Sequence, residues 1–423
     1  MSLLEAPQAQ TLLEEATLEP QDLRSCRRHL TTFLDRYLPL FYRKEQGENA
    51  RIVVQGLLIN LERKTCEPIA RCAGLHRKPI QFFVGAGKWN DEAVMDEMRR
   101  QVVEEIGESH GVLIFDGSGF PKKGAASCGV KRQWCGRLGK IENCQMGVFL
   151  SYATSQGCAP LDRCLFLPED WASDQKRRQQ THVPVAVTFR TKWQIAAEML
   201  TAHAATIPHQ WITADDDFGR VNEFRAGLRA RHENYVLDVP CDTLVRDLER
   251  RRPPRRQRNG GRKLETPFCR VDRWAQRQPA SRWEHFRVKA GEKGPLDVLA
   301  LSVRVRTRYE QRLGDEERLL VLRTVEASPR TTFALCHAGP EVSLAELVRV
   351  ACQRHRIEEI FEQAKGEAGL DHYEVRSWVG WHHHITLALL ALWFVIRERR
   401  RLGGKNPCAY RATNAQHFFA TAS

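Results

Sequence analysis

Helical spacing of apolar residues dominates the first quarter of the chain. From about residue 23 to residue 106 the pattern is amphipathic, as in the stretches LTTFLDRYLPLF and DEAVMDEMRRQVVEEIG. Apolar residues that recur every three to four positions predict helices with one buried face. Asn90 or Asp91 is a suitable cap for the second stretch. The pattern therefore predicts an all-helical segment at the start of the chain.

A pair of short helices is predicted within this segment, in TCEPIARCAGLHRKPIQFFVG. Thr65 is a suitable cap, Pro68 suits a first turn, and Gly74 allows a tight turn before the second helix. This is the outline of a helix-turn-helix, which can read DNA. A plain helical hairpin requires the same residues, so both interpretations stay open.

The period of the pattern changes at Gly111. Three predicted strands come first, in VLIFDG, CQMGVFLSYAT and APLDRCLFLP. The helix TKWQIAAEMLTAHAAT, the strand of QWITADDDFG, the helix RVNEFRAGLRARH and the strand YVLDVP follow. Three strands, helix, strand, helix, strand is the order of the RNase H-like fold. We therefore expect an α/β protein with an RNase H-like core.

The rest of the chain is first strand-like and then helical. Alternation over residues 283–337 predicts a small antiparallel sheet, and helical patterning returns at Ser343. The most apolar run, ITLALLALWFVI at residues 385–396, is shorter than the ~20 residues that span a bilayer. We interpret it as a buried helix of a soluble protein.

The excess of basic residues indicates what kind of molecule the protein binds. The 423 residues include 65 Lys and Arg against 52 Asp and Glu, a formal charge of +13 that favours nucleic acid over most acidic partners. Residues 250–263, RRRPPRRQRNGGRK, carry eight basic residues and no acid, and are either a solvated tether or an arm that binds phosphates. We favour the arm.

The cysteines and the N-terminal residues indicate where in the cell the protein is located. The 13 cysteines are scattered without a C-x-x-C pair, which favours reduced intracellular thiols over a zinc site. The first residues show no export signal. We expect a cytoplasmic protein.

Two carboxylates follow predicted strands. Asp116 ends the first strand and Asp215 follows the fourth. In an RNase H-like sheet these strands are adjacent and parallel, so the two side chains should meet at one edge. Clustered carboxylates repel each other unless cations lie between them. The pattern indicates a Mg²⁺ site suited to phosphoryl transfer by two ions, with a third ligand from a late helix.

The stretch RHRIEEIFEQAKG is the candidate for that helix. At 100° per residue, Arg354, Glu358 and Lys365 fall within about 40° of one line. Glu358 would enter the metal site, and the two bases would hold phosphates. Four apolar residues would form the packing face: Ile357, Ile360, Phe361 and Ala364. The alternative is an ordinary solvated face with i,i+4 pairs.

These motifs resemble those of the DDE transposases of bacterial insertion sequences, in the branch with a Y-(2)-R-(3)-E-(6)-K signature. Arg354, Glu358 and Lys365 match its R-(3)-E-(6)-K part. FDGSGFPKKG is similar to the family's D-x-T-G-F-P-K-K-G around the first acid, Asp116. ADDDFG is similar to A-D-x-x-Y-G, which selects Asp215 within the aspartate run. RQWCGRLGKIENCQ also resembles the family, and the similarity extends over roughly residues 37–393.

The sequence departs from the family at three positions. Ala351 stands at the tyrosine of the signature, Gly117 stands where many members carry an acid, and Phe218 replaces a tyrosine. None of these changes affects the three acids.

The resemblance implies a transposase that binds the terminal inverted repeats of its element as a dimer, cleaves double-stranded DNA and joins the 3′ ends to target DNA. Two Mg²⁺ ions, with Mn²⁺ able to substitute, would be held by Asp116, Asp215 and Glu358. The implied organisation is a helical DNA-binding domain at 1–108, an RNase H-like core at 109–240 and 343–423, and a β-rich insertion with the basic loop at 241–342. The implied DNA contacts are Arg354, Lys365, Lys122, Lys123, Arg255, Arg256 and Arg258.

Two other classes remain open at this point. One is a non-catalytic DNA-binding protein derived from such an element, and the other is a structure-specific nuclease that cleaves without joining. Trp274 and Trp283 are candidates for stacking a flipped base, although each is more often a core residue. We expect action at the bacterial nucleoid and no membrane partner.

Overall fold

The computed structural model describes residues 20–249, 267–288, 296–309 and 312–403. It consists of two compact units. The first comprises Met1–Gly107, Gly117–Thr191 and Glu358–Ser423, and the second comprises Glu108–Asp116 and Lys192–Ile357. The boundaries fall inside one strand, after Asp116, and inside one helix, before Glu358.

Helices open the first unit, as the apolar pattern predicts. They are α1 (Pro20–Asp35), α2 (Lys44–Leu58), α3 (Cys66–Cys72), α4 (Arg77–Gly85) and α5 (Asp91–Ile106). The Asn90 side chain caps α5 by accepting from the amides of Glu92 and Ala93. Gly74, at a φ of +69°, makes the turn between α3 and α4. The two predicted short helices and the turn between them are therefore present, and a DNA-reading role for the pair stays a prediction.

The strands of the first unit form an antiparallel meander. Its members are β2 (Lys131–Cys135), β3 (Lys140–Thr154) and β4 (Gly157–Leu165), with β3 paired to both others. The end of β1 (Val112–Pro121) lies beside β3. Two short helices follow, α6 (Glu169–Ser173) and α7 (Gln175–Gln180).

The long helix that carries the apolar run is the centre of the first unit. This helix, which we number α14 (Trp378–Arg401), packs against α2, α4, α5 and β4. Its 24 residues are long and apolar enough to cross a bilayer, yet 89% of its most apolar window is buried inside the protein. The prediction of a buried helix is confirmed, although the helix is twice as long as the apolar run.

Three consecutive histidines extend α14 beyond that run. His382, His383 and His384 face the backbone carbonyls of Trp378, Val84 and Gly369, respectively. Burial lowers the pKa of His382 and of His384 to about 4. They are buried core residues that point three ways.

The second unit contains a large mixed sheet. The first residues of β1 pair in parallel with β5 (Trp211–Ala214), and β5 pairs in parallel with β6 (Asn234–Asp238). The helices around these strands are α8 (Lys192–His203), α9 (Asp216–Gly219), α10 (Asn222–Ala230) and α12 (Leu344–Gln353). This α/β pattern was expected from the sequence.

An antiparallel region continues this sheet beyond β6. It contains β7 (Leu244–Asp247), β8 (Cys269–Arg270), β9 (Glu284–Val288), β10 (Leu296–Tyr309), β11 (Arg312–Thr324) and β12 (Thr331–His337), with α11 (Val271–Gln276) after β8. β12 pairs with β6, and β11, β10, β7 and β8 follow in order. The antiparallel prediction is confirmed, but the strands extend the edge of a larger sheet and do not form a small separate one.

Candidate active site

Two aspartates directly follow the paired residues of β1 and β5 in the second unit. The parallel register of these strands ends with Phe115 opposite Ala214. Asp116 is the next residue within β1, so the prediction that it ends this strand is wrong, because β1 continues beside β3 to Pro121. Asp215 follows the last residue of β5 and is the cap of α9. Neighbouring strands lie roughly 4.8 Å apart, and residues level with each other point to the same face. This register is consistent with the prediction that Asp116 and Asp215 are neighbours, and Asp116 is buried.

Asp215 differs from the two aspartates that follow it. Its carboxylate caps α9 by accepting from the Asp217 amide at 3.1 Å. Asp216 pairs with Arg220, and Asp217 pairs with Lys192, each at 2.8 Å. These two acids are thus occupied in ion pairs at the surface, which supports the choice of Asp215 within the run.

The carboxyl of Asp215 holds its proton more tightly than an ordinary aspartate. Burial is the main cause, followed by the charges of Asp217 and Asp216, and together they raise its pKa from 3.8 to about 6. Arg354 and Lys192 oppose this increase in pKa. Such an environment disfavours a bare carboxylate and suits one that is neutralised by a cation.

A third aspartate, which the sequence did not single out, lies on the next strand. Ala214 is level with Leu237 on β6, so Asp238 is level with Asp215. The guanidinium of Arg354 binds Asp238, with its Nε 2.7 Å from Oδ2. Gly219 packs against the same residue, because a Cβ there would lie 1.9 Å from the Asp238 carbonyl oxygen. The strand YVLDVP gave no signal that its aspartate would neighbour the predicted site.

The signature residues are divided between two helices. α12 ends at Gln353, Arg354 is its cap, and α13 (His355–Gly366) begins immediately after it. The prediction that one helix carries Arg354, Glu358 and Lys365 is therefore wrong for Arg354. The four residues of the predicted packing face are buried, as expected.

Glu358 and Lys365 share α13. Glu358 is exposed in its first turn and belongs to the first unit, whereas Asp116 and Asp215 belong to the second. Lys365 donates from Nζ to the Ser118 hydroxyl at 2.9 Å. Its ammonium lies 5.7 Å from the ring centre of Phe120. Lys365 thus contacts β1 two residues after Asp116 in the sequence.

The lysines of the PKKG segment have different environments. The ammonium of Lys122 lies over the Tyr373 ring, 3.4 Å from its centre, and donates to the Tyr373 carbonyl. Burial lowers the Lys122 pKa from 10.5 to about 8, against the opposing charges of Asp371 and Glu374. Lys123 is exposed.

The two tryptophan candidates lie in the antiparallel region. Trp274 is buried in its core and donates from Nε1 to Asp247 at 2.9 Å. Trp283 packs against the same core, with the Arg323 guanidinium 4.4 Å from its ring centre. Trp274 is thus a core residue. The basic stretch 250–263, with Arg255, Arg256 and Arg258, lies outside the described residues.

Glu92 and Asp162 form a separate acidic group in the first unit. Arg163 binds Glu92 at 2.9 Å and Asp162 at 3.3 Å, and Arg99 lies 3.6 Å from Asp162. These carboxylates are neutralised by arginines within the protein. We interpret the group as a structural ion-pair network.

Comparison with known proteins agrees with this geometry. A family model described as DDE superfamily endonuclease matches residues 36–295, more than half of the chain. The chain belongs to the DDE endonuclease superfamily. The expected family is therefore confirmed, and within this superfamily the chain is similar to a protein named "Probable transposase for insertion sequence element IS701" from Microchaete diplosiphon.

The similarity to that relative is partial. It amounts to 24% identity over 217 residues, which cover 51% of this chain and 54% of the relative. The chain thus matches about half the length of the relative. The family model thus shows a DDE superfamily endonuclease, and the likeness to an insertion-sequence transposase is a similarity to this relative.

Proposed function

We propose that the protein is a DNA transposase that binds the terminal inverted repeats of its element, cleaves DNA by phosphoryl transfer and joins the 3′ ends to target DNA. The observation that carries the proposal is the register of β1 and β5, in which Asp116 and Asp215 directly follow the paired residues Phe115 and Ala214, in a DDE superfamily chain. The reaction would be cut-and-paste and would take place at the nucleoid.

An RNase H-like core is part of the proposal. The order of neighbouring strands supports it. This order is β4, β3, β1, β5 and β6, which is the strand order of that fold. The proposed domains remain 1–108, 109–240 with 343–423, and the insertion 241–342.

Asp116, Asp215 and Glu358 would hold the metal ions. Carboxylate oxygens are the ligands that Mg²⁺ prefers, and Mn²⁺ accepts the same donors. The raised pKa of Asp215 supports a cation at this edge, because a bound cation would favour the carboxylate form. When bound, two ions would activate a water and then a 3′-hydroxyl for attack on phosphorus, and would stabilise the leaving oxygen.

The case for Glu358 is its position along the chain. Arg354 lowers the pKa of Asp215, and Glu358 follows Arg354 by four residues, about one helical turn. We propose that Glu358 completes the metal site, and mutagenesis of Glu358 tests this.

DNA would be held by basic residues around this edge. Lys365 contacts Ser118, two residues after the first acid in the sequence, and Lys123 is exposed on the same motif. In the helix-turn-helix, Lys78, Gln81 and Phe82 are exposed on α4 and are suited to a DNA groove. Arg354 would have to leave Asp238 to reach a phosphate, so we assign it a role in ordering the aspartates. The basic arm with Arg255, Arg256 and Arg258 would add contacts with phosphates, and a dimer would pair two ends.

The test is cleavage and joining of the DNA that flanks the gene, with labelled ends and Mg²⁺ or Mn²⁺. Asp116→Asn, Asp215→Asn and Glu358→Gln should each abolish both steps and leave DNA binding intact. Asp216→Asn is the matched control, because Asp216 is paired with Arg220 and should be dispensable.

Three outcomes would contradict parts of the proposal. Cleavage without joining would indicate a nuclease. Binding without metal-dependent cleavage would indicate a non-catalytic DNA-binding protein. Loss of cleavage in Asp216→Asn but not in Asp215→Asn would show that the wrong aspartate is assigned.

A further inference from the structure

A β-hairpin in the first unit exposes an aromatic platform that the proposed acids do not use. β2 and β3 pair Trp134 directly with Ile141, and these side chains are 60% and 59% exposed. Leu138, in the turn between the strands, is 42% exposed. An exposed cluster of large apolar side chains marks a contact surface.

The opposite face of the hairpin is anchored. Cys135 and Cys144 are buried with Met146, and Phe166 packs against them. Because side chains alternate along a strand, Arg132, Trp134 and Ile141 share the outer face. The outer face is therefore held in a fixed orientation.

Charge on and around this platform favours an anionic partner. Three of the four basic residues at 131–140 form ion pairs, Lys131 with Asp170, Arg137 with Asp371 and Lys140 with Glu142, so the charge offered to a partner is chiefly that of Arg132. Arg132 is exposed beside Trp134. Asn143, opposite Arg132, donates to the carbonyls of Lys122 and Gly124 at 2.7 and 3.0 Å, which holds the loop of the exposed Lys123 next to the platform. An aromatic ring flanked by bases suits nucleic acid better than a second copy of the chain.

The position of the hairpin relates it to the first acid. A Cβ on Gly119 would lie 2.8 Å from the Cys135 sulfur, so the hairpin packs on β1. Gly119 is three residues after Asp116 in the sequence, and three residues of a strand span about 10 Å. The hairpin therefore packs on the strand that also carries Asp116.

We propose that Trp134 stacks on an unpaired or terminal DNA base while Arg132 holds an adjacent phosphate. A base can stack on a side chain only where its face is exposed, and inside a duplex both faces are covered by neighbouring base pairs. The hairpin would therefore prefer unpaired DNA or DNA ends to continuous duplex. This inference rests on the proposed function in one respect, that the substrate is DNA.

The experiment measures binding of the full chain to a fluorescent 20-nucleotide oligothymidylate by anisotropy, with closed circular duplex as competitor. Stacking of one base contributes about 1 to 3 kcal/mol, so Trp134→Ala should raise Kd for the oligonucleotide by about 5- to 150-fold. The potency of the circular competitor should change by less than about twofold. Trp134→Phe should restore most of the affinity, and Arg132→Gln should flatten the dependence of log Kd on log salt.

Tyr42→Ala is the matched control, since Tyr42 is 91% exposed and lies away from the hairpin in the sequence. It should leave Kd unchanged. An unchanged Kd in Trp134→Ala, or an equal loss on the closed circle, would overturn the stacking role. A changed oligomeric state with unaltered DNA binding would assign the platform to an interface between copies. If the parent bound neither DNA, the proposed function would fail and the inference with it.

Discussion

Replacing Asp215 by Asn should stabilise the metal-free protein, and the gain should depend on pH. Asn keeps the side-chain oxygen that accepts from the Asp217 amide, so the cap of α9 survives. It removes the charge that burial and the neighbouring aspartates disfavour. The expected gain in stability therefore comes from removing the ionisation of the Asp215 carboxyl.

The sign and size follow from the pKa of Asp215, which is about 6 in the folded protein against 3.8 ordinarily. Between these values the folded state binds more protons than the unfolded state, so stability falls as the pH rises from about 4 to 6. Each tenfold difference in acidity is about 1.4 kcal/mol, which sets an upper limit of roughly 3 kcal/mol. Asp215→Asn should match the parent near pH 3.5 and exceed it by about 1 to 3 kcal/mol at pH 7.5.

Urea unfolding without divalent ions, followed by circular dichroism at several pH values, measures this difference. Asp217→Asn is the control: it loses a surface pair with Lys192 while relieving Asp215, so its net effect should stay within about 0.5 kcal/mol. A gain in Asp215→Asn that is the same at pH 3.5 and pH 7.5 would refute the reasoning, because it could not come from the ionisation of Asp215.

Other parts of the molecule give three further predictions. Lys365→Met should reduce DNA cleavage by one to three orders of magnitude through misplaced phosphate, whereas Glu362→Ala, exposed on the same helix, should stay within about threefold in the same gel assay. Glu317→Gln should lower the free energy of unfolding in urea by about 3 to 5 kcal/mol, since it leaves the buried Arg225 without its ion pair, although Arg229 keeps its pair with Asp315. The exposed neighbour Glu316→Gln should have little effect. The stability advantage of Lys122→Met over the parent should shrink as the pH is raised from 8 to 10.5 in thermal unfolding, because the lowered lysine pKa means that the parent gains stability over that range; an advantage independent of pH would count against a buried ammonium.

The sequence predicted an element correctly where an apolar run is bounded by residues that end a strand or a helix. The apolar start of β1 leads to Asp116, β5 ends immediately before Asp215, and the parallel pairing of these strands follows from the fold order that the pattern predicted. The continuation of β1 to Pro121 was not predicted, because no apolar run marks it. The buried helix α14 was also recognised, but its full length was not. Its first turns contain three buried histidines, and each has a ring nitrogen within hydrogen-bond distance of a backbone carbonyl. Hydropathy does not predict this, because it counts histidine as polar.

Tertiary context explains what the sequence did not show. β2 exists because it pairs with β3, and four of its five residues are polar or exposed, so no alternation marks it. The break between α12 and α13 has neither Gly nor Pro, and Arg354 at the junction keeps helical dihedral angles. Its contact with Asp238 joins residues more than a hundred positions apart. Such pairings depend on the assembled sheet and leave no local pattern.

The hydrogen-bonded edge between β6 and β12 has a mechanical consequence. Because β12 pairs with β6 over residues 334–337, and β6 pairs in turn with β5, strain applied to the antiparallel region is transmitted through backbone bonds to the strand that ends before Asp215. A region tethered only by loops would swing as a separate body, whereas this one can bend the sheet but cannot detach from it without breaking those bonds. A ligand bound to the antiparallel region should therefore change the hydrogen-exchange protection of the backbone amides in β5.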